Sequence, residues 1–145
     1  MADRAQHINE LIRPALTEGK TVVCDRYFDA TLVYQGFARG LSIELIGQLH
    51  QLLFDDLKPD VTLLLDLSPQ AGLERAWQQL NNGQRSGDES RFEAEAVAFH
   101  EKVRAGYLEL ARLEPERFRI IDAAQSRDQV FAAMRKVVSS LLKQS

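Results

Sequence analysis

Apolar residues recur at steps of three and four positions along most of this chain, a pattern that predicts amphipathic helices. Five helices follow from it: Asp3–Glu18, Ser42–Phe54, Pro69–Gln79, about Glu89–Leu113, and a last one opened by Ser126. Gly19 is placed to stop the first helix, and Pro14 is expected to kink it. Ser126 and Gln129 form a capping box at the start of the last helix. The residues predicted to face inward there are Val130, Met134, Val137, Val138, Leu141 and Leu142.

Two short apolar runs, Thr21–Cys24 and Val61–Leu67, lack the alternation of a half-exposed strand and predict strands that are covered on both faces. A third strand is predicted at Phe118–Ile121. The resulting order of elements is α-β-α-β-α-α-β-α, which predicts an α/β fold with a parallel sheet and flanking helices. Cys24 lies inside the first run and is predicted to be a small core residue.

The chain has 145 residues, 45% hydrophobic and 27% charged, which is ordinary for one soluble globular domain. A formal net charge of −3 argues against a protein that coats nucleic acid or anionic lipid. No apolar run approaches the ~18 residues of a membrane helix, and the N-terminus does not resemble a signal peptide. We therefore expect a cytoplasmic protein with neither a nucleic-acid nor a membrane partner. A single cysteine fits a reducing compartment.

Charged and polar side chains stand where two of the predicted strands end. Asp25, Arg26 and Tyr27 follow the first strand, and the segment 122–125 follows the third. In parallel sheets, ligands bind beyond the carboxyl ends of the strands. A local ion pair between Asp25 and Arg26 would also explain these charges, but an arginine at such a rim suits an anionic ligand, and we favour the ligand.

Several stretches of this chain carry a resemblance to a known family. "DRY" after the first strand leads into "YQGFARG", and "ADRAQHINELIRPAL" comes before it. Further on stand "LKPDVTLLLDLSPQAGLERA", "SRFEAEAVAFHEKVRAGYLELARLEPERF" and "IIDAAQS". In this order and spacing, the chain resembles the thymidylate kinase family of nucleoside monophosphate kinases. The resemblance implies a three-layer, P-loop NTPase-like parallel sheet with flanking helices.

The resemblance also implies a reaction. The γ-phosphoryl group of ATP, with Mg²⁺, is transferred to dTMP and gives dTDP. Family members form homodimers through helices packed beside the sheet. The implied partners are therefore dTMP, ATP and a second copy of the chain.

Four residues match the family positions that handle the acceptor phosphate. Arg4 and Arg26 are implied to hold the monophosphate of dTMP, because a guanidinium fork can engage two phosphate oxygens. Asp25 is implied to lie near the Mg²⁺ ion, usually through water, and is counted with Arg26 as catalytic. Arg39 is implied to position the acceptor. For Arg4, an ordinary solvated side chain is the alternative.

Thr31, Tyr34 and Gln35 match the segment that lines the family's thymidine pocket. Ala30 and Thr31 stand where two hydroxyl residues are common in the family. Tyr34 is implied to pack beside the base and sugar, with a simple core role as the alternative.

The polar stretch from about residue 81 to 91 matches the family's lid, which closes over the donor phosphates. Arg85 is the candidate for stabilising the phosphoryl group in flight, and Arg91 is its rival for that catalytic role. Both arginines are ordinary solvated residues in the alternative interpretation. The segment matching the loop under the donor adenine comprises Asp122, Ala123, Ala124 and Gln125.

The eight glycines of the chain include no G-x-x-x-x-G-K-[ST], the loop whose backbone N–H groups cradle the phosphates of ATP. The resemblance thus covers the C-terminal two-thirds of a thymidylate kinase. We expect residues 1–145 to form a single partial domain that lacks the family's first strands. In the family's sheet order, the first strand lies between the strands ending at Asp25 and Asp66. Those two are expected to keep unpaired edges, with low stability, or to close up.

Two functions from different classes follow from these observations. One is an enzyme that phosphorylates dTMP. The other is an inactive remnant or fragment that retains only a nucleoside monophosphate pocket. A deoxynucleoside kinase is a weaker third interpretation, because Arg4, Arg26 and Arg39 together suit a substrate that already carries a phosphate.

Overall fold

The computed structural model describes residues 2–81 and 89–142. The chain divides into two compact units, one up to Lys58 and one from Pro59 onward.

The first predicted helix is present in the first unit. Helix α1 (Ala2–His7), a π-helical turn (Ile8–Ile12) and α2 (Arg13–Thr17) follow one another without a break. Pro14 lacks the N–H that an α-helix would direct to the carbonyl four residues earlier. The departure from α-geometry that Pro14 predicts therefore takes the form of a wider turn directly before it.

Gly19 ends this helix, as its position predicts. Its φ of +72° is left-handed, a conformation that glycine adopts without strain. The Lys20 N–H donates to the Ala15 carbonyl and the Gly19 N–H to the Leu16 carbonyl, both at 2.9 Å. This pair of bonds is the Schellman ending, which satisfies the last carbonyls of the helix.

The segment Thr21–Cys24 is not a strand, so this prediction was wrong. Val23 is 94% exposed, and Cys24 is exposed rather than part of the core. A strand needs a neighbour for its backbone N–H and C=O groups. Within the described residues, the only ladder joins two strands of the second unit. The apolar composition of this segment predicted burial, but whether another strand lies beside it cannot be read from the segment itself.

A helical segment that the sequence pattern did not predict follows the turn. It consists of α3 (Phe28–Thr31) and a π-helical stretch (Leu32–Phe37). Tyr27, at its start, makes no side-chain capping bond, so no local signal marks the beginning. A glycine such as Gly36 usually indicates the end of a helix. Here it allows the helix to pack closely against Ile43, since a Cβ at position 36 would lie 2.8 Å from Cγ1 of Ile43.

Helix α4 (Ile43–Phe54) begins where it was predicted. The Ser42 side chain caps it by accepting a hydrogen bond from the Leu45 N–H at 3.1 Å. Its buried residues are Ile46, His50 and Phe54, spaced four apart along one face.

The end of α4 is fixed by an arginine of α2. Asp55 and Asp56 both have a φ of +53°, which is uncommon for residues other than glycine. Arg13 donates to the Asp55 carboxylate at 2.7 Å and to the Phe54 carbonyl at 3.0 Å. These bonds hold α2 against the end of α4. One apolar cluster of the unit comprises Ile8, Ile12 and Phe54, with Ala5, Val22, Tyr27 and Leu57 partly buried against them.

The second unit contains the two remaining strands as predicted. Strand β1 (Thr62–Asp66) pairs in parallel with β2 (Phe118–Asp122). In their register Thr62 faces Phe118 and Asp66 faces Asp122, so both strands end at the same edge. Leu65 and Ile120 remain 46% and 54% exposed. The expected coverage of both sheet faces is therefore incomplete within the described residues.

The described part of this unit also contains the helices α5 (Pro69–Asn81), α6 (Glu89–Leu113) and α7 (Arg127–Leu141). Both bonds of the predicted capping box between Ser126 and Gln129 are present. None of the helices in the ranges 2–81 and 89–142 is long and apolar enough to cross a membrane.

The predicted inward face of α7 is only partly correct. Val130, Met134, Val137 and Leu141 are half-buried, whereas Val138 and Leu142 are 41% and 60% exposed. Adjacent helix residues point about 100° apart, so Val137 and Val138 do not share one face. Leu142 lies beyond the last residue of the helix.

An ion pair connects α6 to the carboxyl end of β1. Arg104 donates from Nε to Oδ1 of Asp66 at 2.6 Å and from Nη2 to Oδ2 at 2.8 Å. These hydrogen bonds hold the pKa of Asp66 below its usual value, although partial burial acts in the opposite direction. The two-pronged geometry fixes the orientation of both side chains.

We predict that Arg104→Gln lowers the free energy of unfolding by about 1 kcal/mol at neutral pH, since solvent screens a half-exposed pair. The depressed pKa of Asp66 means that this contribution is present above about pH 4 and is lost as the carboxylate is protonated. Urea unfolding at several pH values measures it. Arg112→Gln is the matched control, because Arg112 pairs with Glu109 on the exposed surface of the same helix. Equal losses for both variants would contradict the prediction.

Candidate functional site

Arg26 has a strained backbone at the turn that was predicted to bind an anion. Its φ is +59°, a left-handed conformation that costs a residue other than glycine about 1–3 kcal/mol. Its guanidinium lies over the ring of Tyr34, 4.4 Å from the ring centroid. Through this cation–π contact Arg26, which is predicted to bind the phosphate, lies next to Tyr34, which is predicted to line the thymidine pocket.

Arg4 reaches from α1 to the turn and to α3. It donates from Nη1 to Oγ1 of Thr31 at 2.7 Å and from Nη2 to the Tyr27 carbonyl at 3.4 Å. Its guanidinium also lies 5.7 Å from the centroid of the Tyr27 ring. A second pair of predicted residues, Arg4 and Thr31, is thus in direct contact, and a solvated Arg4 is not what the structure shows.

Gln35 and Arg39 form the third pair. Arg39 donates from Nη1 to Oε1 of Gln35 at 3.2 Å. All six predicted substrate-binding residues therefore contact one another in pairs inside the first unit.

Tyr27 was given no role by the sequence pattern, yet it lies beneath Arg4. Its hydroxyl is buried and has no hydrogen-bond partner among the described residues. Burial raises the pKa of Tyr27, and the nearby Arg4 opposes this shift. Its place in the "DRY" motif is the signal from which it could have been found.

Asp25 is an exposed carboxylate beside Arg26. In the part of the chain that the structure describes, no group of three His, Cys, Asp or Glu side chains could hold a metal ion. Protein-bound Mg²⁺ commonly uses one or two carboxylates and takes its other ligands from phosphates and water. Asp25 could therefore contribute one carboxylate to a Mg²⁺ ion whose other ligands are phosphate and water.

The segment predicted to lie under the donor adenine forms a turn organised by Asp122. Oδ1 of Asp122 accepts from the Ala124 N–H at 2.9 Å, and Oδ2 accepts from the Gln125 side-chain amide at 3.2 Å. The carboxylate therefore shapes the loop. Such an arrangement is typical of Asp in turns.

Two further bonds fix the same loop from outside. The Ala123 N–H donates to the Asp66 carbonyl at 2.8 Å, which continues the parallel pairing past the end of β2. Arg75 of α5 donates to the Ala123 carbonyl at 3.1 Å. Arg75 lies in the "GLERA" stretch and was not singled out from the sequence.

The two candidate lid arginines are not distinguished by geometry. Arg85 lies outside the described residues. Arg91 lies near the start of α6, and its side chain is likewise outside the description.

A hollow of about 400 Å³ lies beside the Asp66–Arg104 pair in the second unit. It is lined by β1, α5 and α6, mostly with apolar side chains, and also by His100 and Tyr107. None of the predicted site residues whose side chains the structure describes lines it.

Comparison with known proteins decides the family. The family model described as thymidylate kinase matches residues 1–134. The chain belongs to the thymidylate kinase family. It is 56% identical over 140 residues to the thymidylate kinase of Desulfosudis oleivorans, covering 94% of this chain and 65% of the relative. It is 57% identical over 130 residues to that of Desulforapulum autotrophicum, covering 90% and 57%.

The fold agrees with this assignment. The crystal structure of thymidylate kinase from Ehrlichia chaffeensis is similar with a TM-score of 0.68 and 28% sequence identity. The match covers 97% of this chain and 61% of that one. The α/β fold is thus of the P-loop NTPase type, as the sequence resemblance implied. The chain spans about two-thirds or less of the length of these relatives.

We predict that Thr31→Val lowers the free energy of unfolding by about 1 kcal/mol, because Arg4 loses its hydroxyl acceptor in a partly buried setting. Urea unfolding followed by circular dichroism measures this loss. Thr31→Ser keeps the hydroxyl and is expected to lose less than half as much. If Thr31→Val is as stable as the unmodified chain, the Arg4–Thr31 bond does not contribute to folding.

Proposed function

We propose that this chain carries the acceptor site of a thymidylate kinase, which transfers the γ-phosphoryl group of ATP to dTMP and forms dTDP. The observation that carries the proposal is the strained Arg26 turn, around which all six predicted acceptor residues contact one another in pairs. Strain at a position that also carries a charge is typical of functional sites.

Arg26 and Arg4 hold the acceptor phosphate in this proposal. Two donors of Arg4 are directed at Thr31 and Tyr27, which fixes the plane in which its remaining N–H groups lie. Arg26 is exposed and lies against the Tyr34 ring, so its guanidinium is oriented before a ligand arrives. Preorganised donors cost little reorganisation when charge is bound.

Thr31, Tyr34 and Gln35 would line the pocket for the thymidine part of the substrate. They occupy neighbouring turns of one helical segment, and Tyr34 offers a half-buried ring face. Arg39, held by Gln35, would position the acceptor at the end of this segment.

The donor side is assigned by the family resemblance. The turn 122–125 would lie under the adenine of ATP and contact it mainly through backbone groups. Asp25 would help to hold Mg²⁺, which neutralises charge on the phosphates during transfer. Arg85, with Arg91 as its rival, would stabilise the phosphoryl group in flight from a lid at about residues 81–91.

A homodimer is part of this proposal. Leu41, Leu45, Leu49 and Leu52 recur at helical spacing on and before α4, and all four are exposed. A second copy of the chain would cover this apolar stripe. We place the reaction of ATP with dTMP in the cytoplasm, as expected from the sequence. Residues 1–145 would act as a single partial domain.

We predict that Arg26→Ala weakens dTMP binding at least about tenfold, because a charge-assisted contact to phosphate contributes about 1.5–3 kcal/mol. Thymidine, which has no phosphate, is expected to bind nearly unchanged. Calorimetry with both ligands measures the difference.

Arg26→Lys keeps the charge without the fork and is expected to fall between the two proteins. Arg135→Ala, at an exposed position of α7, is the control for removing a positive charge. Equal loss of dTMP and thymidine binding in Arg26→Ala would contradict a phosphate contact.

We also predict that the purified 145-residue chain binds dTMP but forms no dTDP from dTMP and ATP·Mg²⁺. Its sequence contains no glycine-rich loop with Lys, and orienting the β- and γ-phosphates depends on such a loop. This favours the pocket-only interpretation for the chain assayed by itself. Product formation that is absent from an Arg26→Ala preparation made in parallel would overturn the prediction.

A further inference from the structure

A fully buried histidine lies under the acceptor turn. The His50 ring, on α4, stacks on the Phe28 ring with centroids 3.6 Å apart and planes 15° apart. Tyr27 meets it edge-on at 6.1 Å, and Phe54 packs against it at 5.2 Å. An ionisable residue thus occupies the centre of an aromatic cluster.

The hydrogen bond of His50 defines which ring nitrogen carries a proton. Nε2 lies 3.0 Å from the Leu57 carbonyl, which can only accept, so Nε2 is protonated. Nδ1 is buried and has no hydrogen-bond partner among the described residues. A second proton, on Nδ1, would have no acceptor there, which favours the neutral ring.

The aromatic cluster is continuous with the acceptor turn. Phe28 and Tyr27, the two residues directly after Arg26, both contact the His50 ring. The Tyr27 carbonyl accepts the hydrogen bond of Arg4. Displacing the ring would move the backbone that sets the left-handed conformation of Arg26.

We propose that His50 is a positioning residue for the acceptor phosphate: its ring, stacked on Phe28 and in edge contact with Tyr27, holds the turn that orients Arg26 and Arg4. This inference rests on the proposed function, because it assigns His50 to the same phosphate site. It adds a residue that touches neither the reacting atoms nor the substrate.

Burial and the charges around His50 make the stability of the surrounding fold depend on pH. Burial lowers the pKa of His50, and Arg4 from α1 and Lys58 act in the same direction. The Leu57 carbonyl and Asp56 raise the pKa but do not outweigh burial. Below about pH 6.5 the unfolded chain binds this proton more readily than the folded chain does, so the free energy of unfolding decreases as the pH is lowered. A proton forced onto Nδ1 would find no acceptor in the stack.

Two variants separate the roles of the ring and of its hydrogen bond. His50→Gln can keep the donor to the Leu57 carbonyl but removes the stacked ring. We expect it to weaken dTMP binding at least about fivefold at pH 7.5 and thymidine binding less than about twofold. His50→Phe keeps a stacked ring that does not titrate. His7→Gln, at an exposed position of α1, is the control.

The pH arm compares the free energy of unfolding at about pH 7.5 and 5.5, measured by urea unfolding. We expect the unmodified chain and His7→Gln to lose more of this free energy than His50→Phe over the range, because only a buried histidine has to be kept neutral in the folded state. Equal losses would overturn the neutral ring on which the positioning role rests.

A ligand-free measurement keeps this inference separable from the proposed function. Amide NMR signals of Arg26, Tyr27 and Phe28 are expected to shift in His50→Gln but not in His7→Gln. If the unmodified chain binds dTMP no better than thymidine, the proposed function fails, and the amide signals still decide whether His50 holds the turn. Unshifted signals in His50→Gln would overturn the inference.

Discussion

The guanidinium of Arg4 connects the first helix of the chain to the turn and helix after Arg26, and the first unit depends on that connection. A partly buried charge needs acceptors, and Arg4 finds them in the Thr31 hydroxyl and the Tyr27 carbonyl. Because one acceptor is a backbone group, the contact fixes the path of the chain. The ring of His50, which lies later in the chain on α4, stacks on Phe28 directly after the same turn. Side chains from three helices thus meet at the proposed acceptor site.

Both units concentrate polar groups at chain turns and hold them there with fixed partners. In the first unit, the left-handed backbone of Arg26 is a local cost that neighbouring contacts offset. In the second unit, Asp66 binds Arg104 with its carboxylate and the loop after β2 with its carbonyl. Asp122 uses its carboxylate to shape that loop. Parallel strands place these groups at one edge, which is where α/β proteins bind ligands.

The sequence resemblance named the acceptor residues, and the structure brings them into contact in pairs, although their roles remain proposals. It did not reveal Tyr27, His50 or Arg75 as supporting residues. Each of these acts through a partner distant in the chain: Arg75, for example, binds a carbonyl 48 positions later. A motif records which side chains meet the ligand, whereas the residues behind them are defined by packing. Arg85 and the side chain of Arg91 lie outside the described part of the chain, so their positions are not compared.

The start of the last helix and its capping box were determined by the sequence itself, because a cap such as Ser126 with Gln129 involves residues only three apart. The sequence also determined the family. Tertiary structure alone decided the fate of Thr21–Cys24, whose apolar run predicted a strand that is not formed, since a strand exists only where another segment pairs with it. It also decided that the segment from Phe28 to Phe37 is helical, with Gly36 allowing close approach to α4. Local signals act over one helical turn, whereas strand pairing and aromatic stacking depend on residues that only the fold brings together.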